Sequence, residues 1–374
     1  MTRIISTAPQ PSWCDLVTLA GRAESKDAIL TPWLRAGDEP FLFSRAAWAL
    51  RAAVEAMDLD RMATVWLPDY FCNEATLLLR EIARLVFYPI AETMQPDWTV
   101  CRSLASLTPP DAFLFVHFFG YPLDAAPARD FCDKQKAILI EDAAHAPAIG
   151  ETQIGVWGDA TIWSLYKHLP IPDGGLLTVR FGKGLAPARA AEFGRKFGSR
   201  SQPMAIWYAK RIAQRLAPWM IGRLRAAPLP FAADPAADLP MRTPAISAHS
   251  IKLLNRWAPA IHDLARRRRE NAAMVYRVFE SARGLKPLWA DHDAPWAPYR
   301  AVFRAETQSD ADSWYRRLRA SGNEVETWPD LSPEVRANAD EHSVALSLRN
   351  TVLMLPIHVD KTPGQLASAY RQAL

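Results

Sequence analysis

Apolar residues recur along the chain at two spacings, one typical of helices and the other typical of strands. The first clear example is helical, and the residues that share one helix face are Ala46, Leu50, Ala53, Val54 and Met57. We predict a helix over 43–57 with Ser44 as its N-cap, because a serine hydroxyl there accepts a hydrogen bond from a free amide of the first turn.

Short apolar runs follow, and helical or polar segments separate them. The runs that we predict to be strands are 63–67, 85–90, 112–118, 137–140, 160–165 and 176–179, and the predicted helices between them include 73–83 and 125–136. Strands that alternate with helices form a mostly parallel sheet covered on both faces. The runs at 160–165 and 176–179 could both return antiparallel in that sheet.

The second half of the chain has a different pattern. A basic amphipathic segment at 205–225 leads to a loop at 227–240, and a long helical stretch follows at 246–283. Strand-like runs then alternate with helices, as in a small α/β domain: the strands are 300–304, 324–327 and 352–355, and the helices are 310–320 and 364–373. A chain of 374 residues is long enough for two domains, which we place at 1–240 and 241–374.

The amphipathic segment at 205–225 has two interpretations. Basic amphipathic helices sometimes lie on membranes, and they also pack on a neighbouring domain or a second subunit. We favour packing. No run in the sequence approaches the ~20 uncharged apolar residues that span a bilayer, so no membrane partner is expected.

Composition narrows the class of protein. Hydrophobic residues make up 49% of the chain and charged residues 22%, which is the balance of a globular enzyme. The net charge of +4 is small and the two signs are mixed, so nucleic acid is not an expected partner. The four cysteines form no CxxC pair and lack a histidine at metal-ligand spacing, which favours free thiols in a reducing cytoplasm and no metal site. Pro9, Pro11 and Asp15 interrupt the amino terminus, which does not have the pattern of a signal peptide.

The first chemical constellation is an apolar strand at 137–140 that leads into Glu141, Asp142 and then His145. Ligands of open parallel sheets bind outside the carboxyl ends of the strands, so Asp142 and His145 are placed where a site is expected. Alternatively, Asp142 caps the next helix and His145 packs beside it.

The second constellation is the strand at 160–165 with Ser164, followed by Lys167 and then the glycines of Asp173-Gly-Gly. On its own, Lys167 is a solvent-exposed lysine. Pyridoxal phosphate, however, needs an amine that forms an imine, an acidic partner for its ring nitrogen and donors for its phosphate. Lys167, Asp142 and Ser164 supply these three groups, and desolvation of a lysine makes more of its neutral amine available.

Several motifs together resemble the DegT/StrS-type sugar aminotransferases, which are fold-type-I pyridoxal-phosphate enzymes. The segments that carry the resemblance over most of the chain are the helix at 44–57, VWLPDYFC at 65–72, VHFFGYP at 116–122, IEDAAH at 140–145, GVWGD at 155–159, the lysine loop to Gly175 and LPIH at 355–358. The resemblance implies an aspartate-aminotransferase-like large domain with a mostly parallel central sheet and a small C-terminal α/β domain. It also implies a homodimer.

The resemblance assigns roles to particular residues. Lys167 would be the Schiff-base lysine, Asp142 the partner of the pyridinium nitrogen, and His145 a contact to the cofactor ring or its phenolic oxygen. The phosphate would be held by Ser164 and by the backbone amides of Arg45, Ala46 and Ala47, since a helix start attracts anions. Tyr70 or Phe71 would stack on the ring.

Two departures from the family pattern concern the phosphate and the substrate. Ser164 lies three residues before Lys167, a shorter spacing than in the family. The family's asparagine after the middle loop has no counterpart in 239–247, where Arg242 is the candidate substitute. His117 and His358 are further candidates for the substrate pocket, and Trp328 is an aromatic candidate, although packing explains all three as well.

The sequence therefore predicts a cytoplasmic pyridoxal-phosphate-dependent aminotransferase that moves an amino group from an amino acid to a keto sugar, presumed to be nucleotide-linked. A related dehydratase chemistry replaces the lysine with histidine, but Lys167, six residues before Asp173, keeps the aminotransferase register ahead of His168. The alternatives are a non-catalytic sensor or binding protein of the same fold and an aminotransferase for a ketone that is not a sugar. No GxGxxG follows an early strand, which argues against a dehydrogenase.

Overall fold

A computed structural model describes residues 6, 8–17, 29–57, 59, 61–150, 152–180, 182, 184–197, 205–216, 231, 243–289 and 296–374. Its first sheet has seven strands, which are β1 Asp38–Phe43, β2 Ala63–Pro68, β3 Ala83–Tyr88, β4 Ala112–Val116, β5 Ile138–Asp142, β6 Ala160–Ser164 and β7 Gly175–Arg180. Their order across the sheet is β1-β7-β6-β5-β4-β2-β3. All neighbours from β3 to β6 are parallel, so the predicted mostly parallel sheet is confirmed.

Only β7 runs against the other strands. It pairs antiparallel with β6 on one side and with β1 on the other, whereas β6 is parallel to β5. The expectation of an antiparallel return is thus confirmed for β7 and wrong for β6. β1 is not predicted by the sequence pattern, because its residues begin Asp-Glu-Pro, which are poor strand formers. Pairing with β7 along its whole length stabilises it instead.

The helices of the same part of the chain largely follow the predicted pattern. They are α1 Trp13–Val17, α2 Ala46–Glu55, α3 Asn73–Leu79, α4 Trp98–Leu107, α5 Ala126–Gln135, α6 Leu165–His168, α7 Pro187–Phe197 and α8 Ala205–Leu216. Ala49, Leu50 and Ala53 of α2 are completely buried, and this helix packs on β6 and β7. Small side chains on that face let the helix approach the sheet closely.

The predicted cap of α2 is wrong. The N-cap residue is Arg45, whose side chain makes no capping hydrogen bond, and the Ser44 hydroxyl instead donates to the Thr243 carbonyl at 2.6 Å. The first amides of α2 are therefore left without a side-chain acceptor, which matters for the site described below.

The remaining elements surround a second, antiparallel sheet in the order β10-β11-β9-β8. Its strands are β8 Leu285–Pro287, β9 Ala301–Ala305, β10 Glu326–Thr327 and β11 Val352–Leu355. The helices are α9 Ala248–Trp257, α10 Ile261–Val278, α11 Gln308–Ala320, α12 Pro333–Ala337, α13 Ser343–Thr351 and α14 Pro363–Tyr370. The predicted long helix at 246–283 is two helices, because Pro259 lies in a 3-10 turn between α9 and α10.

Three predicted features fall wholly or partly outside the described residues. They are the domain boundary at 240/241, the loop at 227–240 apart from Phe231, and the part of the amphipathic segment that follows Leu216. Within α8, Arg211 and Gln214 are buried, while Ile206 is 80% exposed. A search of the described helices for one long and apolar enough to cross a bilayer finds none.

Candidate active site

A cavity of about 350 Å³ opens where the carboxyl ends of β4, β5 and β6 meet the start of α2 and the second sheet. The residues that line it are Arg45, Ala46, Ala47, Leu50, Phe71, Cys72, Glu74, Ala75, Val116, Asp142, Ala144, His145, Ile162, Ser164, Tyr166, Lys167, Tyr299, Glu326, Thr327, Trp328, Pro329 and Met354. This is the place where open parallel sheets bind their ligands. Most of the predicted site residues are among the lining residues.

The topology of the sheet explains why Asp142, Ser164 and Lys167 meet. Asp142 is the last residue of β5 and Ser164 the last residue of the parallel neighbour β6, while Lys167 lies in the short helix α6 that follows. Two constellations that are separated in the sequence are thus brought to one edge of the sheet.

Gly175 brings the start of α2 to the same place. It pairs with both Ser164 and Phe43 at the beginning of β7, and a Cβ atom on it would lie 2.2 Å from the backbone of Arg45. No residue other than glycine permits that approach. The amides at the start of α2 therefore lie beside Ser164.

Lys167 has a histidine as its hydrogen-bond partner. Its Nζ is 2.8 Å from Nε2 of His145, and the Nδ1 of His145 accepts a hydrogen bond from the Phe119 amide at 3.1 Å. Tyr299 stacks on the His145 ring with centroids 4.8 Å apart. Burial is the largest cause that lowers the pKa of His145 well below its ordinary value, so the ring is neutral at pH 7.

Asp142 is a buried carboxylate with little protein around it to stabilise its charge. Within the described residues, its side chain accepts one hydrogen bond, from the Ala144 amide at 2.8 Å. Burial raises the pKa of Asp142 above its ordinary value, because that amide offsets only part of the lost hydration. A cationic N–H donor in the cavity would satisfy this group.

The other end of the cavity suits an anion. The Ser164 hydroxyl and Nη1 of Arg45 are buried and have no hydrogen-bond partner among the described residues, and the guanidinium lies 4.0 Å from the centre of the Tyr166 ring. The uncapped amides of α2 begin at Ala46. A helix start, a hydroxyl and a guanidinium together form the donor set that phosphate prefers.

The neighbour of Asp142 has the opposite environment. Glu141 is completely buried on the other face of β5 and accepts hydrogen bonds from the amides of Gly155, Trp157 and Gly158 and from Nε2 of His117. Although burial opposes ionisation, these donors hold the pKa of Glu141 below its ordinary value. His117, a predicted substrate contact, is therefore bound to Glu141 and does not line the cavity.

The remaining predicted residues divide between the cavity and the protein interior. Phe71 and Trp328 line the cavity, whereas Tyr70 is completely buried behind them and stacks on Trp328 at 4.7 Å. His358 is also away from the cavity, since its Nε2 bonds to the Ser6 carbonyl at 2.7 Å. Arg242 lies outside the described residues.

Lysine and histidine in the Lys167–His168 pair face different surroundings. Lys167 lines the cavity and is half-buried, whereas His168 is buried, does not line the cavity, and contacts the Tyr299 ring edge-on. The structure thus places the amine, and not the imidazole, beside Asp142.

The sequence patterns did not indicate four further residues of the site or beside it, which are Tyr166, Tyr299, Phe119 and Glu326. Glu326 belongs to β10 of the second sheet, and Tyr299 lies in the segment just before β9. Both reach the cavity only because the second sheet packs over the first. Phe119 has an unusual left-handed backbone, with φ of 57°, which no sequence pattern indicates for a large side chain. The PYR segment at 298–300, which immediately precedes β9, is the sequence signal near Tyr299.

Residues 42–209 match the DegT/DnrJ/EryC1/StrS aminotransferase family. A Saccharopolyspora spinosa protein named dTDP-4-dehydro-2,3,6-trideoxy-D-glucose 4-aminotransferase is 34% identical over 143 residues. That alignment covers 36% of this chain and 36% of the relative, about a third of the relative's length. The family resemblance found in the motifs is therefore confirmed over residues 42–209.

Solved structures of similar fold extend over the whole chain. Helicobacter pylori PseC, described as an aminotransferase involved in the biosynthesis of pseudoaminic acid, has a TM-score of 0.70 at 12% identity and covers 98% of this chain and 97% of its own. The aminotransferase TlmJ of Streptoalloteichus hindustanus has a TM-score of 0.65 at 19% identity, with 100% and 98% covered. A Streptococcus pneumoniae protein solved in its PLP form has a TM-score of 0.68 at 13% identity, with 98% of each chain covered. The predicted fold class is confirmed.

Proposed function

We propose that this chain is a member of the DegT/DnrJ/EryC1/StrS aminotransferase family, whose model its residues 42–209 match, and that it is a pyridoxal-phosphate-dependent aminotransferase that holds its cofactor on Lys167. The observation that carries the proposal is the set of unsatisfied groups in one cavity. Asp142, the Ser164 hydroxyl and Nη1 of Arg45 are buried there with fewer partners than their chemistry requires, and Lys167 lies among them. Buried polar groups are normally satisfied, so these three groups indicate a ligand.

The groups fit the two polar ends of pyridoxal phosphate. The amides of Ala46 and Ala47, the Ser164 hydroxyl and the Arg45 guanidinium would hold the phosphate. Asp142 would accept a hydrogen bond from the protonated ring nitrogen and keep the proton there. When bound, the cofactor supplies an electron sink for the substrate carbon that carries the amine.

The protein itself would supply proton transfer and exclude water. The amine of Lys167 would hold the cofactor and would also serve as the base that moves a proton at the substrate carbon. Asp142 would stabilise positive charge at the ring nitrogen. Phe71, Trp328 and Met354 contribute apolar surface to the cavity wall, which strengthens these electrostatic interactions by keeping water out.

The substrate class rests on the relatives. The Saccharopolyspora spinosa protein carries the name of an aminotransferase for a dTDP-linked keto sugar, and this supports an amino acid donor and a nucleotide-linked keto sugar acceptor. The outer part of the cavity offers the carboxylate of Glu326, the side chain of Thr327 and the indole N–H of Trp328, which has no partner among the described residues. Such groups suit the hydroxyls of a sugar.

We also infer a homodimer in the cytoplasm. Active sites of fold-type-I enzymes are commonly completed across a dimer interface, and none of the four cysteines forms a disulfide within the described residues. Light scattering after size-exclusion chromatography tests the dimer, and a mass of one chain would contradict it.

Borohydride reduction of the purified protein, followed by peptide mass mapping, tests the proposal directly. We expect the cofactor mass on the peptide that contains Lys167, its loss in Lys167→Ala, and its retention in Lys134→Ala, which removes a lysine whose side chain is 70% exposed. Cofactor mass on any other residue would overturn the assignment.

Addition of an amino donor separates an enzyme from a binding protein of the same fold. With glutamate, and then with other amino acids, we expect the cofactor absorbance to change as the amino group is transferred. A spectrum that stays unchanged with every donor would favour the non-catalytic alternative.

A further inference from the structure

The backbone at Phe119 is strained in a way that affects the neighbouring histidine. Phe119 has φ of 57° and ψ of 11°, a left-handed conformation that large L side chains rarely adopt. The next residue, Gly120, has φ of 82°, and a Cβ atom there would lie 2.4 Å from the carbonyl oxygen of His145. The Tyr299 amide also donates to the Phe119 carbonyl at 2.8 Å. Strained backbone that its surroundings hold in place is typical of functional sites.

The strained turn aims an N–H group at one nitrogen of His145. The Phe119 amide donates to Nδ1 at 3.1 Å, so Nδ1 must present a lone pair. The His145 ring is nearly parallel to the rings of Phe119 and Tyr299, whose centroids lie 5.9 Å and 4.8 Å away, and these contacts fix its orientation. A neutral imidazole carries one proton, and here that proton must be on Nε2.

The Nε2–H group points at Lys167. With Nε2 as the donor, the Lys167 Nζ at 2.8 Å must accept, and only the neutral amine has a lone pair for this. The titratable and charged groups around the pair are His168 and Arg300 on the side of His145 and Asp142 on the side of Lys167, and burial lowers the pKa of His168 well below its ordinary value.

We propose that the Phe119 turn fixes His145 as its Nε2–H tautomer and that His145 thereby holds Lys167 as a neutral amine before the cofactor binds. The proposal rests on the proposed function, because a neutral amine is the form of lysine that reacts with the aldehyde of the cofactor. His145 and Phe119 act as positioning residues for Lys167. Their effect precedes any contact with the cofactor and is measurable in the cofactor-free protein.

Nitrogen NMR of the cofactor-free protein, labelled with ¹⁵N-histidine, tests the tautomer directly. The His145 signals are assigned by their absence in His145→Gln. At pH 7 we expect Nδ1 to have the shift of an unprotonated nitrogen and Nε2 that of a protonated one. A protonated Nδ1, or an imidazolium with both nitrogens protonated, would overturn the proposal.

Reductive methylation with formaldehyde and cyanoborohydride measures the free amine of Lys167 by peptide mass mapping. Replacement of His145 by phenylalanine removes the donor, and we expect methylation of Lys167 at pH 7 to slow about fivefold, the effect of one ordinary hydrogen bond. His145→Gln retains an acceptor and an N–H donor and should restore most of the rate. Lys134 in the same samples is the internal control, and equal rates at Lys167 in all three proteins would contradict the proposal.

Substitutions in the turn distinguish the effect of the Phe119 backbone amide from the effect of the Phe119 ring. Phe119→Asn keeps the amide and suits the left-handed conformation, so the tautomer should persist. Gly120→Ala forces the turn away from His145, and the preference for Nε2–H should be lost. If Gly120→Ala does not fold, the wild-type NMR result still decides. All of these measurements omit the cofactor, so they can fail while borohydride trapping on Lys167 succeeds, and the reverse is also possible.

Discussion

Glu141 and Asp142 are consecutive carboxylates on one strand, yet the protein treats them in opposite ways. Their side chains point to opposite faces of the sheet because successive residues of a strand alternate. Glu141 accepts four hydrogen bonds from the protein and has a lowered pKa, whereas Asp142 accepts one from the described residues and has a raised pKa.

The difference separates a structural carboxylate from a functional one. The donors to Glu141 fix the turn at 155–158 and His117 against the sheet, so that charge is neutralised within the fold. Asp142 is left for a ligand, and its incomplete solvation is a cost that cofactor binding can offset. The count of hydrogen-bond partners, and not the residue type, distinguishes the two.

The largest effect is expected when the Glu141 network is broken. Glu141→Gln replaces one acceptor oxygen with an NH₂ group that faces backbone amides, so at least one buried donor loses its partner. We expect the free energy of unfolding to fall by about 3 kcal/mol, as when a buried ion pair loses one member. Urea unfolding of the cofactor-free protein measures it, with Asp130→Asn as a control in the exposed pair with Lys134. Equal urea midpoints for Glu141→Gln and the control would contradict the structural role of Glu141.

Asp142→Asn should affect catalysis instead of folding. The neutral amide cannot hold a proton on the ring nitrogen, so we expect kcat to fall by about 10²–10³-fold, comparable to the loss of one strong electrostatic contact. The cofactor-free variant should be at least as stable as the wild type, because a buried and poorly solvated charge is removed. Transamination rates give kcat, and urea midpoints give the stability. An Asp142→Asn variant that is destabilised but active would contradict the functional role of Asp142.

Ser164→Ala tests the anion end of the cavity. A hydrogen bond to a charged phosphate contributes about 1.5–3 kcal/mol, so cofactor affinity should weaken by roughly 10- to 100-fold. Stability without cofactor should not change, since the hydroxyl has no partner among the described residues. Fluorescence titration with pyridoxal phosphate gives the Kd. Unchanged affinity would show that Arg45 and the α2 amides suffice for the phosphate.

The pH dependence of stability gives the smallest and most specific contrast. The lowered pKa of Glu141 adds stability above 4.5, its ordinary value, and this is lost as the pH falls through the folded pKa. The raised pKa of Asp142 acts in the opposite direction, and its contribution is lost as the pH rises from 3.8 through the folded pKa. Across the acid range, stability should therefore rise less with pH in Glu141→Gln and more in Asp142→Asn than in the wild type. Parallel profiles for all three proteins would contradict this assignment of pKa shifts.

Much of the fold could be read from local patterns. The apolar runs predicted six strands of the first sheet, because a strand buried on both faces is a continuous apolar run. β1 escaped detection because it is polar at its start and only half-buried. The cap of α2 was misassigned because Ser44 finds the distant Thr243 carbonyl instead of the adjacent amides.

The sequence by itself determined the chemical groups of the site and their order, because an amine, a carboxylate and a hydroxyl at successive strand ends suit one cofactor wherever they meet. Only the tertiary structure decided which of these groups find hydrogen-bond partners within the protein. Glu141 is neutralised by a turn that begins fourteen residues later, and His145 is oriented by Phe119 and by Tyr299 from beside the second sheet. Hydrogen bonds and burial depend on neighbours in space. The different environments of Glu141 and Asp142, and the environment of Lys167, therefore arise only once the chain has folded.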